Sequence, residues 1–344
     1  MRRASATIGP AFPRGLPFSE HPFWSDIPEL NPDLSRVRDL VIHEAASAGG
    51  PMGEALARYV GRPGKMLRPG LLLVGAWAGK ADPYVQAGER IIQIAAAIET
   101  LHLATLVHDD VIDDADLRRG EPSLHALYGR KQAVLMGDYL LSRCFTMIAT
   151  GTDRENALRL ATATGHLVRG EINQMFEAGG DAFSRRAYLR RIAGKTAMLF
   201  GLSLVTGAAE TKAKPHEIAL LARAGYSMGM AFQVIDDILD LTSHADALGK
   251  PAASDLSAGL YTLPVIEAVE RDDSVRALVL PPPADPVSLE KALRAIDAAG
   301  GIAHARRAAH AYTARARRAI GRLANPRQRE VLAIVADLLL GRDY

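Results

Sequence analysis

The sequence has one cysteine, Cys144, in 344 residues, which excludes an internal disulfide framework and a cysteine-rich zinc site. The formal net charge is only +2, and this near balance argues against a general nucleic-acid-binding protein. No run of about twenty uncharged apolar residues is present, so we expect no membrane span. The basic, acid-free start lacks the apolar region of a secretory signal and predicts a disordered or loosely docked leader. We therefore expect a cytoplasmic protein.

Strand-like alternation is also absent, and helical periodicity takes its place. Residues 1–32 are rich in Pro, Gly and aromatic residues, which predicts an irregular N-terminal arm. From Asp33 onward Ala and Leu dominate, and apolar residues recur at intervals of three and four. A proline loop at 281–283 resembles a domain boundary, but the helices after it are too few for an independent core. The prediction is one all-α domain over 33–344, a single large bundle of ten or more helices.

An acidic cluster lies in the segment LATLVHDDVIDDADLRRG, which contains Asp109, Asp110 and Asp113. On a helix, positions four apart lie within about 40° of each other, so Asp109 and Asp113 share a face. Carboxylates at this spacing repel each other, and apolar neighbours make them costly to bury. A hard cation such as Mg²⁺ would relieve both penalties. The alternative is a solvated acidic helix face.

A second cluster repeats this spacing in AFQVIDDILDLTSHADALGK, where Asp236, Asp237 and Asp240 lie among still more apolar residues. A solvated face would not be embedded in this way. Two such clusters predict two aspartate-rich helices that face each other across a deep central cavity.

Basic residues near the clusters favour a diphosphate ligand over calcium storage. Arg supplies planar paired donors for phosphate, and Lys supplies a point charge. Each alone is more often a surface residue, but together with two magnesium sites they predict a pocket for two diphosphates. The segment GRPGK lacks the Walker spacing, so a nucleotide P-loop is rejected. The cations concerned are Lys65, Arg68, Arg118, Arg119, Lys195 and Lys250.

These residues resemble the polyprenyl diphosphate synthase family, the trans-type isoprenyl diphosphate synthases, from about residue 35 to the C-terminus. The matching motifs are GK-x-x-RP at 64–69, DD-x-x-D at 109–113 followed by RRG, GDY at 137–139, KT at 195–196, FQ-x-x-DD-x-x-D at 232–240, GK at 249–250 and TLP at 262–264.

The resemblance implies an all-α (E)-prenyltransferase, usually a homodimer, which joins isopentenyl diphosphate to an allylic diphosphate head to tail by ionisation, condensation and elimination. It implies three magnesium ions bound by Asp109, Asp113 and Asp236. Asp110, Asp237 and Asp240 would support these ligands, and we also count Asp240 as a metal ligand. By the same resemblance, the allylic diphosphate is bound by Arg118, Lys195 and Lys250; the reacting carbons pass Thr196 and Gln233; and isopentenyl diphosphate is bound by Lys65, Arg68, His102 and Arg119.

Product length depends on the tunnel beside the first aspartate helix. Ala104 and Thr105 lie one turn before Asp109 and should face that tunnel. In the family, an aromatic residue at the place of Ala104 shortens the product, so a small residue here implies twenty carbons or more. In the alternative, Ala104 packs against a neighbouring helix and deeper residues form the floor, among them Met136, Tyr139 and Phe176. Leu260 stands where family members often carry a lysine, which weakens the expected clamp on the leaving group.

Three other readings stay open at this point. A class I terpene cyclase shares the helical fold, but its second metal motif usually mixes Asn, Ser or Thr with Glu. A non-catalytic regulatory subunit of a heteromeric synthase would be expected to lose one aspartate motif. A helical scaffold without chemistry leaves both acidic clusters unexplained.

Overall fold

The computed structural model describes residues 22–79, 82–118, 120–176, 183–242 and 253–341. The predictions for residues 1–21, Arg119, Lys250 and the side chain of Phe176 lie outside this description.

The described chain is almost entirely helical, as the sequence predicts. A 3₁₀-turn occupies each of Pro22–Trp24, Pro28–Leu30 and Asp273–Val275, and a single π-turn occupies Ala193–Ala197. The α-helices are α1 Asn31–Ala46, α2 Gly50–Val60, α3 Leu67–Ala76, α4 Glu89–Ile112, α5 Leu124–Tyr128, α6 Arg130–Gly151, α7 Arg154–Phe176, α8 Arg185–Ile192, α9 Met198–Glu210, α10 Pro215–Thr242, α11 Ser254–Ser257, α12 Leu263–Arg271, α13 Arg276–Val279, α14 Pro286–Ala298, α15 Gly301–Ile320 and α16 Pro326–Leu340.

One small antiparallel hairpin interrupts the helices. Its strands are β1, Leu117–Arg118, and β2, Glu121–Pro122, and Arg118 pairs with Glu121. Two-residue strands are too short to leave an alternating pattern, so they could not be predicted from the sequence. The hairpin directly follows the first aspartate cluster and therefore determines where Arg118 lies.

Several helix starts follow the expected capping chemistry. The side chains of Ser184 and Asn325 accept hydrogen bonds from the backbone at the starts of α8 and α16. Asp285 and Ser288 form a reciprocal capping box at α14. These caps satisfy backbone N–H groups that have no partner inside the helix.

Two groups of buried apolar side chains form the core, and α10 contributes to both. Leu221 and Met228, in its first half, belong to the cluster built on α1, α3, α4, α6 and α9. Val234 and Ile238, in its second half, belong to the cluster built on α8, α12, α14 and α15. The second aspartate cluster therefore lies on a helix that is held by apolar packing along its whole length.

The packed part of the chain begins before the predicted domain boundary at Asp33. Trp24 is completely buried, and its indole Nε1 donates a hydrogen bond to the Lys65 carbonyl at 2.6 Å. Gly70 leaves room for that indole, because a Cβ at Gly70 would lie 2.3 Å from the ring. Residues 22–30 thus form part of the core and fix the backbone of the GK-x-x-RP segment.

Among the described residues, three helical stretches are long and apolar enough to cross a membrane by length and composition: Glu89–Ile112, Arg185–Glu210 and Pro215–Thr242. Each of them contains charged residues, so none forms an uncharged apolar run. Within the bundle, 72%, 61% and 61% of their most apolar windows are buried against protein. Their hydropathy therefore matches that of core helices.

Candidate active site

The first aspartate cluster lies at the C-terminal end of α4. Asp109 and Asp110 belong to the helix, whereas Asp113 caps it and donates its backbone N–H to the Asp109 carbonyl at 2.8 Å. Asp114 then takes a left-handed conformation, with φ of 53°, which turns the chain toward the hairpin. The helical spacing of Asp109 and Asp113 is confirmed, and the helix ends inside the motif.

Arg118 is paired with Asp110. Its Nε lies 2.7 Å from Asp110 Oδ1, and a terminal guanidinium nitrogen contacts the same oxygen. Burial raises the pKa of Asp110, although Arg118 opposes that shift. The other oxygen, Oδ2, is buried without a hydrogen-bond partner. In this structure Arg118 therefore compensates a buried carboxylate of the cluster.

The π-turn at Ala193–Ala197 brings a cation to the first cluster. Lys195 Nζ lies 3.2 Å from Asp109 Oδ2. Partial desolvation raises the pKa of Asp113, Lys195 opposes this shift, and the Asp109 carboxylate adds to it. Wide π-turns are rare and occur often at functional sites. Here the turn places the side chain of Lys195 on the aspartate-bearing end of α4.

The next residue of the same turn contacts the helix of the second cluster. The Thr196 hydroxyl donates to Gln233 Oε1 at 2.7 Å, and Gln233 Nε2 donates to Asp237 Oδ1 at 2.9 Å. The Tyr188 hydroxyl donates to Asp237 Oδ2 at 2.6 Å. Burial raises the pKa of Asp237 to about 7, although both of these donors oppose the shift. Asp237 is thus held by protein donors on both oxygens.

Asp236 and Asp240 belong to one motif but differ in solvent exposure. Asp236 is exposed, whereas Asp240 is buried. Asp240 Oδ1 accepts a hydrogen bond from Ser254 at 3.0 Å, and Oδ2 accepts one from the Asp255 backbone at 3.3 Å. Asp240 therefore fixes the start of α11, and its role as a metal ligand stays a prediction.

The residues predicted to hold isopentenyl diphosphate lie beside the same helices. Lys65 and Arg68 flank Met66, whose left-handed conformation precedes α3. The Arg68 guanidinium lies 5.7 Å from the centre of the Phe200 ring, and that ring lies 5.3 Å from Phe232, next to Gln233. His102 is half-buried on α4. The binding roles of Lys65, Arg68 and His102 stay predictions.

The two residues predicted to control chain length occupy different environments. Ala104 is completely buried in the larger apolar cluster, and Thr105 is half-buried. The Thr105 hydroxyl donates to the His102 carbonyl at 2.8 Å. An aromatic side chain at position 104 would therefore have to displace apolar neighbours.

The donor set fits a magnesium ion that is shared with a ligand. Within the described ranges, no group of three or more His, Cys, Asp or Glu side chains is gathered closely enough to hold an ion. Magnesium rarely needs such a cage, since it is usually bound by one or two carboxylates together with substrate phosphates and water. The buried, unpartnered Oδ2 of Asp110 and the raised pKa of Asp113 both indicate carboxylates that a cation would stabilise.

Comparison with known proteins identifies the family. Residues 51–295 match the family model described as Polyprenyl synthetase. The chain belongs to the polyprenyl synthetase family. It is 36% identical over 318 residues to "Heptaprenyl diphosphate synthase component 2" of Geobacillus stearothermophilus, covering 92% of this chain and 97% of that one. It is 34% identical over 288 residues to "Short chain isoprenyl diphosphate synthase" of Methanothermobacter thermautotrophicus, covering 82% and 87%.

A solved structure agrees with this assignment. The polyprenyl synthase of Caulobacter crescentus, complexed with calcium and isoprenyl diphosphate, superposes with a TM-score of 0.84 at 28% identity, covering 92% of this chain and 96% of that one. A divalent ion therefore accompanies the diphosphate in a similar protein. As a polyprenyl synthetase, this chain is a prenyltransferase of isoprenoid biosynthesis, and the predicted family, all-α fold and enzyme class are confirmed.

Sequence reasoning missed Tyr188 and the pairing of Arg118 with Asp110. Tyr188 lies seven residues before Lys195, which is close to two helical turns, and that spacing was the available signal. The spacing of Tyr188 and Lys195 did not reveal the contact, because a π-turn shifts the helical register between the two residues. The role of Ser254 depends on a contact across the 243–252 segment and left no pattern in the sequence.

Proposed function

We propose that this polyprenyl synthetase condenses isopentenyl diphosphate with an allylic diphosphate, head to tail, with magnesium as its metal. The observation that carries the proposal is the double contact of one π-turn. Lys195 reaches Asp109 on α4, while Thr196 bonds Gln233, one turn before Asp236 on α10. A cation, a hydroxyl and the two aspartate-bearing helices thereby converge on one place.

The residues present fit both the departure of the diphosphate and the stabilisation of the allylic cation. Asp109, Asp113 and Asp236 would hold the metal, with Asp240 behind them; when bound, the metal supplies Lewis-acid stabilisation of the departing diphosphate. Lys195 adds a positive charge at the same place. The Thr196 hydroxyl donates a hydrogen bond to Gln233, so the lone pairs of its oxygen are available to an electron-poor carbon. Thr196 itself is buried, which keeps water, a quencher of allylic cations, away from its hydroxyl.

We propose a product of twenty carbons or more. Ala104 is small and lies on the helix that carries Asp109, so no bulky side chain at that position closes the predicted tunnel. Relatives of both classes share similar identity with this chain, one named as a heptaprenyl and one as a short-chain synthase. Identity alone therefore does not select a length, and the local size of residue 104 is the basis of this proposal.

We propose a homodimer, supported by exposed apolar side chains on α6. Leu135 is 56% exposed and Phe145 is 46% exposed. A surface groove of about 550 Å³ lies along the same helix and includes Leu141 and Phe145 in its lining. Contiguous exposed apolar patches mark association sites. Sedimentation of wild type and Phe145→Glu would test this, because the variant should shift the chain toward the monomer.

The name of one relative favours a second possibility for assembly. "Component 2" describes one part of an enzyme made of more than one component. We propose that the present chain is active alone, because both aspartate clusters and the cations at Lys65, Arg68 and Lys195 are retained. We also propose a cytoplasmic location, since the three long apolar helices bury most of their apolar surface against protein. Fractionation of cells that express the chain would test the location.

The decisive experiment is incorporation of radiolabelled isopentenyl diphosphate into dimethylallyl, geranyl, farnesyl or geranylgeranyl diphosphate. Purified chain and Mg²⁺ should elongate at least one primer, and EDTA should abolish the reaction. Asp109→Ala should lower the rate by on the order of a hundredfold or more. The matched control is Asp297→Ala, which removes an exposed carboxylate of α14. Dephosphorylated products are sized by chromatography.

Each result has a defined meaning. Growth beyond fifteen carbons supports the length proposal, and growth that stops there contradicts it. If the folded chain alone incorporates nothing but does so with an added second component, the two-component assembly replaces the homodimer. No incorporation under any of these conditions overturns the proposed reaction.

A further inference from the structure

Tyr188 contacts Asp237 of the second aspartate motif from inside the apolar core. It is almost fully buried on α8, within the smaller apolar cluster. Its hydroxyl donates to Asp237 Oδ2 at 2.6 Å. Burial raises its pKa well above the usual value, and the neighbouring carboxylate adds to this, so the hydroxyl keeps its proton. Tyr188 is therefore a buried hydrogen-bond donor to Asp237.

Asp237 in turn orients the side-chain amide of Gln233. The Asp237 side chain accepts a hydrogen bond on each of its two oxygens: Oδ2 accepts from Tyr188, and Oδ1 accepts from Gln233 Nε2 at 2.9 Å. A glutamine amide has a donor end and an acceptor end. Because its donor end is bound to Asp237, its acceptor end, Oε1, must point the other way, to Thr196.

Gln233 in turn fixes the direction of the Thr196 proton. The Thr196 hydroxyl donates to Gln233 Oε1 at 2.7 Å. A hydroxyl has one proton and two lone pairs, so a proton committed to Gln233 leaves only lone pairs for any other neighbour. If the amide were reversed, its NH₂ would take up a lone pair, and the proton of Thr196 would be directed elsewhere.

We propose that Tyr188 and Asp237 are positioning residues that hold the Gln233 amide in one orientation, so that Thr196 presents lone pairs to the positively charged carbon of the reaction. This inference rests on the proposed function. It assigns the second aspartate of the DD-x-x-D motif to the orientation of an amide, and it assigns Tyr188 a role in the same reaction. Neither residue needs to touch a substrate.

The test compares Tyr188→Phe with Tyr261→Phe. Tyr261 is a matched control because it is buried in the same apolar cluster and its hydroxyl also makes one hydrogen bond, to the Val279 carbonyl at 2.9 Å. Tyr188→Phe should lower kcat by about ten- to a hundredfold, with KM for both substrates changed less than twofold, because it disturbs orientation and not binding. Tyr261→Phe should leave kcat within twofold of wild type.

A double-mutant cycle tests the route of the effect. In a Thr196→Ala background the hydroxyl that Tyr188 acts through is gone, so adding Tyr188→Phe should change kcat by less than twofold. A second variant, Asp237→Asn, keeps the shape of the side chain but cannot accept from both donors. It should lower kcat to a similar extent as Tyr188→Phe.

The outcomes separate the inference from the function on which it rests. A wild type without activity contradicts the proposed function. An active wild type with Tyr188→Phe equal to Tyr261→Phe, or with additive losses in the Thr196→Ala background, overturns the inference and reduces Tyr188 to a packing residue. Asp237→Asn with wild-type kcat overturns it as well.

Discussion

The His108 imidazole lies directly against the backbone of Gly137. A Cβ at residue 137 would come within 2.3 Å of His108 Nε2, a distance that real contacts do not show. His108 precedes Asp109 on α4, and Gly137 lies on α6, so the missing side chain allows these two helices to approach beside the first aspartate cluster. Glycine is needed here for its lack of a side chain.

Gly137→Ala should therefore destabilise the fold and reduce activity. Overpacking of a close contact typically costs about 1–3 kcal/mol, and displacement of His108 would move the end of α4. Urea unfolding and kcat give the two readouts. Gly165→Ala on α7 is the control, because nothing lies within 4 Å of a Cβ there. It should stabilise the helix by about 0.5–1 kcal/mol. Equal effects of the two variants would contradict the argument.

Arg118→Met should leave Asp110 as an uncompensated buried carboxylate. The Arg118 side chain is 30% exposed, so the expected loss is about 2 kcal/mol, below that of a fully buried pair. Arg317 makes the same paired contact with Asp337, but both side chains are about half exposed. Arg317→Met should cost clearly less, because an exposed ion pair is screened by solvent. Chemical denaturation measures both, and a larger loss at Arg317 would show that the burial of Asp110 is not the cause.

Ala104→Phe should shorten the product. The larger side chain would displace the apolar neighbours of Ala104 toward the predicted tunnel and should stop growth near fifteen carbons, as measured by chromatography of the dephosphorylated products. Ala95→Phe is the control on the same helix, equally buried but about 180° around it. Both variants overpack the core, and thermal unfolding should reveal similar losses. A shortened product from Ala95→Phe, or an unchanged one from Ala104→Phe, would move the tunnel away from position 104.

Stability should fall with rising pH because of Asp237. Its pKa rises from 3.8 to about 7 in the fold, so folding favours the protonated acid. The contribution is fully present below pH 4 and is lost as pH rises toward 7, by on the order of 1 kcal/mol per pH unit. Asp237→Asn lacks this titration.

The melting temperature of Asp237→Asn relative to wild type should therefore increase between pH 5 and pH 8, in EDTA and without substrate. Asp236→Asn, at the exposed neighbouring position, is the control and should show a much smaller change. A flat difference for Asp237→Asn would argue that its carboxylate is solvated. Greater stability at pH 8 together with lower kcat would separate its role in orientation from any role in stability.

The sequence predicted the elements that repeat a recognisable spacing. Asp109, Asp113 and Asp236 were predicted as site residues because carboxylates at helical intervals among apolar residues are costly without a ligand. Lys195 was found because a lone cation stands inside an apolar helix. In each case the signal is local to one helix.

The missed features depend on how helices pack together. Asp236 and Asp240 lie in one motif at helical spacing, yet one carboxylate is exposed and the other fixes the start of α11, a difference that the spacing does not predict. Trp24 was assigned to an irregular arm because proline and glycine surround it, although it is buried beneath Gly70. Such contacts join residues distant in sequence, and no periodicity records them.

The π-turn at Ala193–Ala197 also has a consequence for how the chain can change length. A π-turn contains one residue more than the α-helical path, and each α-helical residue rotates the chain by about 100°. Deleting any single residue there would restore a regular helix but rotate α8 relative to α9, which would separate Tyr188 from Asp237 or Lys195 from Asp109. Insertions and deletions in natural relatives should therefore avoid the segment between Tyr188 and Thr196 and gather in the connections between helices.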